Sequence, residues 1–503
     1  MILQALNDYY QRLASDPDVN MAPLGWSYES ISFALVLNRG GELVDQPMDC
    51  RDTSNKKPQP KRILVPKNES RSREIKPYFL WDKTQYLLGV FGIDEKGKLS
   101  TEGQINLDPE RYEAFRSLHL EMLSETDDEG LVAVRRFLES WDPSQFEDHP
   151  LMGRAILGAN IVFRLDGDMG FVHERQAAKD LYQRAISSEG GDDGICLVTG
   201  ERRPISRIHP KIKGVKGALG TGASIVSFNE TAYEFQGKNK GLNAPVSEEA
   251  AFGYTTALNY LLRGDNDNRQ KIQIGDATTV FWALGSDSDA TEAAEQFLGD
   301  TIDPPTDDAQ ETERLKRAFD LVSQGKPLSE AVPGLDDDVQ AYMLGLSAPS
   351  KARLGLRYWE VASIATFVSR IAEHYNDLAL DPLPWKSFPG VWRLLLQLTR
   401  HTSSSPNGKY EDIPAQIGND LTRSILTGSR YPRTLLSNVI LRMRKDGDIN
   451  GLRVAMCKSV LARDRRLGLN STTEEIPVSL NKENTSPGYL LGRLFALLEN
   501  AQR

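Results

Sequence analysis

The sequence contains few cysteines. Its 503 residues include three, Cys50, Cys196 and Cys457, and no two of them form a C-x-x-C pair. This spacing excludes a disulfide scaffold and the usual zinc and redox signatures, and it favours a reducing, cytoplasmic environment. Long apolar runs are also missing, because no stretch reaches about eighteen uninterrupted apolar residues. The first residues carry an acid where a secretory signal needs bases. We therefore expect a cytoplasmic protein that does not enter a membrane.

An overall excess of positive charge is absent as well. The chain has 60 Lys and Arg against 70 Asp and Glu, which gives a formal net charge of -10. A uniformly basic coat for nucleic acid is thus excluded, and any site for a polyanion must be local. The hydrophobic fraction of 40% is ample for a buried core. A chain of this length predicts about two to four folding units.

The spacing of apolar residues predicts an α+β, multi-domain fold. Alternation at period two from Ile31 to Leu37, followed by Asn38-Arg39-Gly40-Gly41, predicts a β-hairpin. Helical spacing dominates later in the chain. The predicted segments are a β-rich N-terminal region with a basic loop (1–108), a helical layer (109–190), an α+β unit with a Gly-rich loop (191–285), an acidic linker or insertion with helices (286–350) and a mostly helical C-terminal region (351–503).

A glycine-rich loop is a candidate phosphate site. Gly217 and Gly222 have the spacing of a P-loop and Ser224 occupies the hydroxyl position, but Ala223 replaces the essential lysine, which argues against ATP hydrolysis. Backbone N–H groups of such a loop can still approach a phosphate. The alternative, a flexible turn between two strands, stays open. The candidate contacts to a nucleic-acid backbone are Lys211, Lys213, Lys216, Gly217, Gly220, Gly222, Ser224, Asn229 and Asn243.

A metal-dependent nuclease is the alternative class of function. His173, Cys196 and His209 could be assembled into a metal site, but they lack the spacing of ligands on one helix or hairpin. The sequence has no G-x-S-x-G, no H-E-x-x-H and no intact dinucleotide fingerprint. We therefore expect no metal, no cofactor and no catalytic centre.

Basic residues are clustered against the acidic background. The loop from residue 51 to residue 76 has nine Lys or Arg against three Asp or Glu. Such a loop can contact phosphates and base edges, with a neighbouring aromatic ring as a wedge. A merely solvated loop is the alternative. The candidate DNA contacts are Lys56, Lys57, Lys61, Arg62, Asn68, Arg71, Arg73, Lys76 and Tyr78.

A second cluster lies on the C-terminal helices. Between residues 423 and 466 there are eleven Lys or Arg against three Asp or Glu. This excess suits a surface along a nucleic-acid backbone, and a solvent face that only aids solubility is the alternative. The candidates for such a strand path are Arg423, Arg430, Arg433, Arg442, Arg444 and Arg453.

Several long segments resemble one protein family. They include MILQALNDYY (1–10), FLWDKTQYLLG (79–89), CLVTGE (196–201), HPKIKG (209–214), RYWE (357–360) and ILTGSRYPR (425–433). In these segments the sequence is similar to the large subunit of the type I-C CRISPR Cascade surveillance complex. The resemblance spans nearly the whole chain.

The resemblance implies a non-catalytic DNA-binding subunit. Such a subunit lies by the 5′ handle of the CRISPR RNA, recognises the protospacer-adjacent motif in double-stranded target DNA, helps to open that DNA and presents a surface to the recruited helicase-nuclease. Sequence matching is left to the guide RNA. Its implied partners are the Cascade backbone and handle-binding subunits and the small subunits. The basic loop with Tyr78 is assigned to the motif, the glycine loop to the backbone or handle, and the C-terminal arginines to the displaced strand or heteroduplex.

The end of the chain departs from this family. Relatives continue beyond residues 487–503 into a further helical portion that can be made separately as the small subunit. We therefore expect either a truncated form or a chain that relies on separate small subunits. The apolar stripe of the last helix, Leu490, Leu494 and Leu498, is the expected docking place.

Overall fold

The computed structural model describes residues 1–54, 58–67, 71, 75–94, 96, 98–188, 192–264, 268–304, 309–401, 405, 408–409, 412–469 and 476–502. The chain divides into two compact units. The N-terminal unit comprises Tyr10–Pro210 and Phe228–Thr256, and the C-terminal unit comprises Met1–Tyr9, Lys211–Ser227 and Ala257–Arg503. Both units are discontinuous in sequence, whereas the predicted segments were consecutive. The predicted α+β class is confirmed.

Short strands make up several small sheets. Their bounds are β1 Trp26–Ile31, β2 Phe33–Leu37, β3 Met48–Asp49, β4 Lys61–Pro66, β5 Trp81–Lys83, β6 Val90–Ile93, β7 Gln104–Leu107, β8 Asn160–Leu165, β9 Asp193–Ile195, β10 Arg202–Pro204, β11 Lys271–Ile274, β12 Ala277–Leu284, β13 Gln340–Ser350 and β14 Arg353–Ser363.

Helices flank these sheets and dominate the C-terminal half. Their bounds are α1 Ile2–Ser15, α2 Thr84–Leu87, α3 Pro109–Met122, α4 Glu129–Ser140, α5 Gln176–Ser188, α6 Glu248–Leu261, α7 Ser288–Ile302, α8 Ala309–Ser323, α9 Ile364–Leu378, α10 Val391–Leu396, α11 Ala415–Thr427, α12 Arg433–Asp446, α13 Gly451–Arg466 and α14 Pro487–Gln502. Among the described residues, no helix combines the length and the apolar character needed to cross a bilayer.

The N-terminal unit is built on a four-stranded sheet in the order β3-β2-β8-β5. Strand β2 runs parallel to β8, with Leu35 opposite Phe163. Both side chains lie in the core beneath the helices, whereas Ala34 and Val162 pack on the opposite face against the β1–β4 ribbon. Because both faces are covered, β2 and β8 consist almost entirely of apolar residues.

The predicted hairpin after β2 is only partly present. The chain does reverse there, since the Asn38 N–H donates to the Glu42 carbonyl at 2.9 Å and Leu37 bridges Leu43. However, the main partner of β2 is the parallel strand β8, which lies more than a hundred residues further along the chain. Local alternation predicts a strand but does not reveal a distant partner.

The C-terminal unit contains an antiparallel sheet in the order β11-β12-β13-β14. One face of the sheet contributes Phe281 and Met343 to a core shared with the helices of this unit. The other face carries an aromatic cluster, in which the Trp282 ring lies 5.4 Å from Tyr342 and 5.5 Å from Trp359. The sheet therefore buries apolar side chains on one face and aromatic rings on the other.

The acidic segment 286–350 contains α7, α8 and β13 among its described residues. Ala294, Phe297 and Leu298 of α7 are fully buried. Acids lie at its start, where the Asp287 carboxylate accepts the N–H groups of Asp289 and Ala290 at 2.9 and 3.2 Å, whereas Asp300 near its end is buried and paired with Arg269. Acidic residues stabilise the first turn of a helix because they satisfy its unpaired N–H groups and its positive dipole end. Helix α7 therefore packs into the core of the C-terminal unit and does not serve as a linker.

One buried histidine fixes a strained turn of the N-terminal unit. Leu80 has a φ of +61°, which a residue with a side chain rarely adopts. Its N–H donates to Nε2 of His119 at 2.9 Å, and Nδ1 of His119 lies 2.7 Å from the Phe115 carbonyl oxygen. Because a carbonyl only accepts and an amide only donates, the ring must be neutral with its proton on Nδ1. Protonation of the ring would remove the acceptor that holds Leu80.

This arrangement predicts a loss of stability in acid. Complete burial lowers the pKa of His119 from 6.5 to about 4. The unfolded chain therefore binds the proton more tightly, so stability is full above pH 6.5 and falls as the pH drops toward 4. Between pH 7.5 and 4.5 this single group accounts for about 2.5 kcal/mol. In His119→Gln the side chain can still accept the Leu80 N–H but does not titrate. We therefore expect the free energy of unfolding in urea to fall by about 2.5 kcal/mol less between pH 7.5 and 4.5 than it does in the wild type. An unchanged pH dependence would contradict the assignment.

Candidate nucleic-acid interface

The first predicted patch is only partly within the described residues. Lys56, Lys57, Asn68 and Arg73 lie outside them. Lys61 and Arg62 begin β4, opposite Ile31 and Ser30 of β1, and both side chains are exposed. The Arg62 guanidinium lies 5.8 Å from the ring of Tyr28. Lys61 and Arg62 thus remain accessible to a polyanion.

Arg71 and Tyr78 are part of the fold. The Arg71 guanidinium lies 3.5 Å from the ring of Tyr78 and 3.7 Å from that of Tyr86. It also forms an ion pair with the fully buried Asp82 and donates from Nε to the Lys76 carbonyl at 2.6 Å. Burial raises the pKa of Tyr78 to about 12. We correct the prediction of a free wedge at Tyr78, because its ring is half-buried against Arg71.

The glycine loop is a turn held by hydrogen bonds to the rest of the protein, and the amides described below do not point to a free phosphate site. Ile212 and Ala223 close it with two mutual backbone hydrogen bonds of 2.8 Å. The N–H of Lys213 donates to Asn259 at 2.7 Å, and that of Lys216 donates to Thr278 at 3.1 Å. The N–H of Leu219 donates to the Lys351 carbonyl. These amides are committed to the protein, which supports the alternative of a structural turn.

Gly222 has a steric role in this loop. Gly222 has a φ of +97°, and a Cβ there would lie 2.8 Å from the Cβ of Lys211. The Lys211 ammonium donates to the hydroxyl of buried Ser224 at 2.9 Å, so neither side chain resembles a free phosphate ligand. The exposed candidates of the loop are Lys213, Lys216, Gly217 and Gly220.

The two predicted asparagines belong to the other unit. Asn229 and Asn243 lie in the N-terminal unit, whereas residues 211–227 belong to the C-terminal unit. Asn229 is exposed. The Asn243 amide accepts the N–H of Phe235 at 3.2 Å and donates to the carbonyls of Lys238 and Lys240 at 3.0 and 3.1 Å. Asn243 therefore braces a loop and is corrected from a predicted ligand contact to a structural residue.

Many arginines of the C-terminal cluster are paired with carboxylates. Arg430 forms an ion pair with buried Asp464, and Arg442 lies 3.5 Å from Asp446. Arg453 has a fully buried side chain and donates to the same Asp446 at 2.7 Å. A buried arginine cannot contact a nucleic-acid strand without unfolding its surroundings. We therefore correct Arg453 and Arg430 from a predicted strand path to ion pairs that join α12, α13 and the preceding loop.

Three candidates of this cluster remain exposed. Arg423 has a side chain that is 66% exposed and a Glu360 carboxylate 3.8 Å away. Arg433 and Arg444 are exposed at the two ends of α12. They are eleven residues apart, which is close to three helical turns and places them on one face. Arg423 and this face of α12 are the parts of the predicted strand path that the fold leaves accessible.

The residues proposed for a metal site are buried in separate surroundings. His173 Nε2 lies 3.0 Å from the Leu64 carbonyl, and His209 Nδ1 lies 2.7 Å from the Tyr254 hydroxyl. The Cys196 sulfur accepts the N–H of Ser247 at 3.2 Å. Within the part of the chain that the structure describes, no three His, Cys, Asp or Glu residues are grouped as metal ligands. Burial lowers the pKa of His173 and of His209 to about 4, which suits neutral structural histidines.

Comparison with known proteins gives the class to which the chain belongs. The family model described as CRISPR-associated protein (Cas_Csd1) matches residues 6–503, so this is a CRISPR-associated protein. The chain belongs to the Cas_Csd1 family. A search of curated proteins finds no match. The family agrees with the resemblance seen in the sequence at the level of a role in a CRISPR system.

The pairing of the C-terminal arginines predicts opposite results for two neighbours on α13. Arg463 is fully buried and bonded to Asp377, so Arg463→Met should lower the free energy of unfolding by about 3–5 kcal/mol. Arg465 is exposed, and Arg465→Met should change it by less than about 0.5 kcal/mol. Chemical denaturation measures both. Equal stability of the two variants would show that Arg463 is not structural.

Proposed function

We propose that this chain is the large, non-catalytic subunit of a type I-C CRISPR surveillance complex. It binds the protospacer-adjacent motif in double-stranded target DNA, helps to separate the strands and presents a surface to the recruited helicase-nuclease. Its partners are the CRISPR RNA, the backbone and handle-binding subunits and the small subunits. Membership of the Cas_Csd1 family and the long similar segments support this role.

The main observation in support of the proposal is a set of exposed basic side chains that form no ion pair within the described part of the fold. Lys61 and Arg62 on β4, and Arg433 and Arg444 on α12, are exposed and form no ion pair with any described residue. They lie on a protein whose net charge is -10. Local cations on an anionic protein bind a phosphate backbone where they are placed, whereas the acidic remainder of the surface repels it.

The β4 cations can be tested by the salt dependence of binding. The double variant Lys61→Gln, Arg62→Gln should weaken binding of the assembled complex to a target duplex. It should also reduce the slope of log K against log salt by about 0.9 for each phosphate that the variant no longer neutralises. The matched control is Lys316→Gln, Arg317→Gln, which removes the same charge from an exposed part of α8. The same reduction in both variants would point to net charge alone and remove β4 from the interface.

Absence of catalysis is tested separately. We expect the complex to leave target DNA intact in magnesium or manganese until the recruited nuclease is added. His209→Ala should lower stability only, because His209 is buried against Tyr254. Gel analysis of labelled target strands measures cleavage. Cutting by the complex that disappears in His209→Ala would overturn the non-catalytic assignment.

A further inference from the structure

One aromatic side chain of the N-terminal unit is exposed to an unusual degree. Phe235 lies in the loop formed by residues 229–243 and is 66% exposed. Gln236, Lys238 and Lys240 beside it are also exposed. A large apolar side chain at the tip of a loop gains free energy when a ligand or partner covers it, so Phe235 is available for such a contact.

The backbone under Phe235 is a tight and defined turn. The Lys238 N–H donates to the Phe235 carbonyl at 3.0 Å, and the two residues between them, Gln236 and Gly237, have φ values of +51° and +73°. Two successive positive φ angles define a type I′ turn. Glycine adopts this conformation readily, but glutamine does so only when its surroundings hold it there.

Asn243 supplies that support. Its single side-chain amide bonds to the backbone of Phe235, Lys238 and Lys240, and so ties both sides of the turn together. Lys240 also has a positive φ, of +46°. The backbone of the loop is thus held by hydrogen bonds before any ligand arrives, and a backbone that is already ordered loses little conformational entropy on binding.

Charged residues of both signs flank Phe235 in the sequence. The acids of the loop, Glu230 and Glu234, precede Phe235, whereas Lys238 and Lys240 follow it. Arg207 is exposed and joined to the loop, because its Nη2 donates to Asn239 at 3.2 Å and its carbonyl accepts the Gly241 N–H at 3.0 Å. An exposed aromatic ring in a loop that also carries cations matches a nucleobase with its adjacent phosphates.

We propose that Phe235 stacks on an unpaired base of the nucleic acid bound by the complex, while Lys238, Lys240 and Arg207 contact the adjacent phosphates. This inference rests on the proposed function and adds to it a residue that the basic patches do not contain. The unpaired base comes either from opened target DNA or from the guide RNA. A contact to a protein subunit is the competing explanation, and the cations beside the ring favour nucleic acid.

The test uses the assembled complex with Phe235→Ala, Phe235→Trp and the control Met169→Ala, whose side chain is 96% exposed elsewhere in the same unit. Loss of one base stack corresponds to a fall in affinity of roughly 5- to 150-fold. We expect Phe235→Ala to show this loss, Phe235→Trp to keep the affinity because it can stack, and Met169→Ala to match the wild type. Phe235 is exposed, so these variants should fold, which thermal unfolding verifies.

Two binding measurements identify the base. Guide RNA retention is measured on the complex without DNA, and affinity for a target duplex with a short unpaired bubble is measured on the complex with its guide. A loss confined to DNA binding supports a base in the target, and a loss of guide retention supports a base in the RNA. Unchanged binding in Phe235→Ala, or loss of a protein subunit from the complex, would overturn the proposal. Failure of the proposed function would give a different result from failure of the Phe235 proposal, because the wild-type complex itself would then not bind target DNA.

Discussion

The buried guanidinium of Arg463 is the interaction on which the helical half of the C-terminal unit depends. Its Nε donates to Asp377 of α9 at 2.7 Å, and its Nη1 donates to the carbonyls of Ser424 and Ser429 at 3.0 and 3.2 Å. The ring of Tyr431 lies 4.1 Å from its carbon centre. One side chain thus joins α9, α11, the loop after α11 and α13. A charge so deeply buried is tolerated only because hydrogen bonds and an opposite charge surround it.

This network explains why charge counting overestimated the C-terminal cluster. The window 423–466 contains few acids, but the carboxylates that neutralise Arg463 and Arg466 come from Asp377 and Glu373 on α9. These partners lie more than eighty residues earlier in the chain. Sequence windows record local composition, and ion pairs form between elements that folding brings together. The strongly periodic helices, such as α1 and α14, were predictable because their pattern is local.

The candidate interface was predictable in kind but not in detail. The exposure of Arg62 follows from the alternation of β4, because Arg62 lies on the face opposite to buried Ile63 and Val65. Lys61 shares the face of those two residues and is exposed because it begins the strand. The role of Asn243 was not predictable, because an asparagine can equally bind a ligand or its own backbone. The exposure of Phe235 was not predictable for a similar reason. The Gln-Gly pair after it was a signal of a tight turn, but nothing in the sequence shows whether an aromatic residue faces the core or the solvent.

The discontinuous units have a consequence for how the chain acquires its structure on the ribosome. Residues 1–9 belong to the unit that otherwise begins at Lys211 and continues from Ala257 to the end. At roughly 5–20 residues per second, the first nine residues emerge at least about ten seconds before most of their own unit has been synthesised. During that time Leu6 and Tyr9 of α1, which are buried in the folded chain, lack the contacts that the rest of their unit later supplies. Folding of the C-terminal unit must therefore wait until residues far along the chain have left the ribosome, although Met1–Tyr9 are synthesised before the whole N-terminal unit.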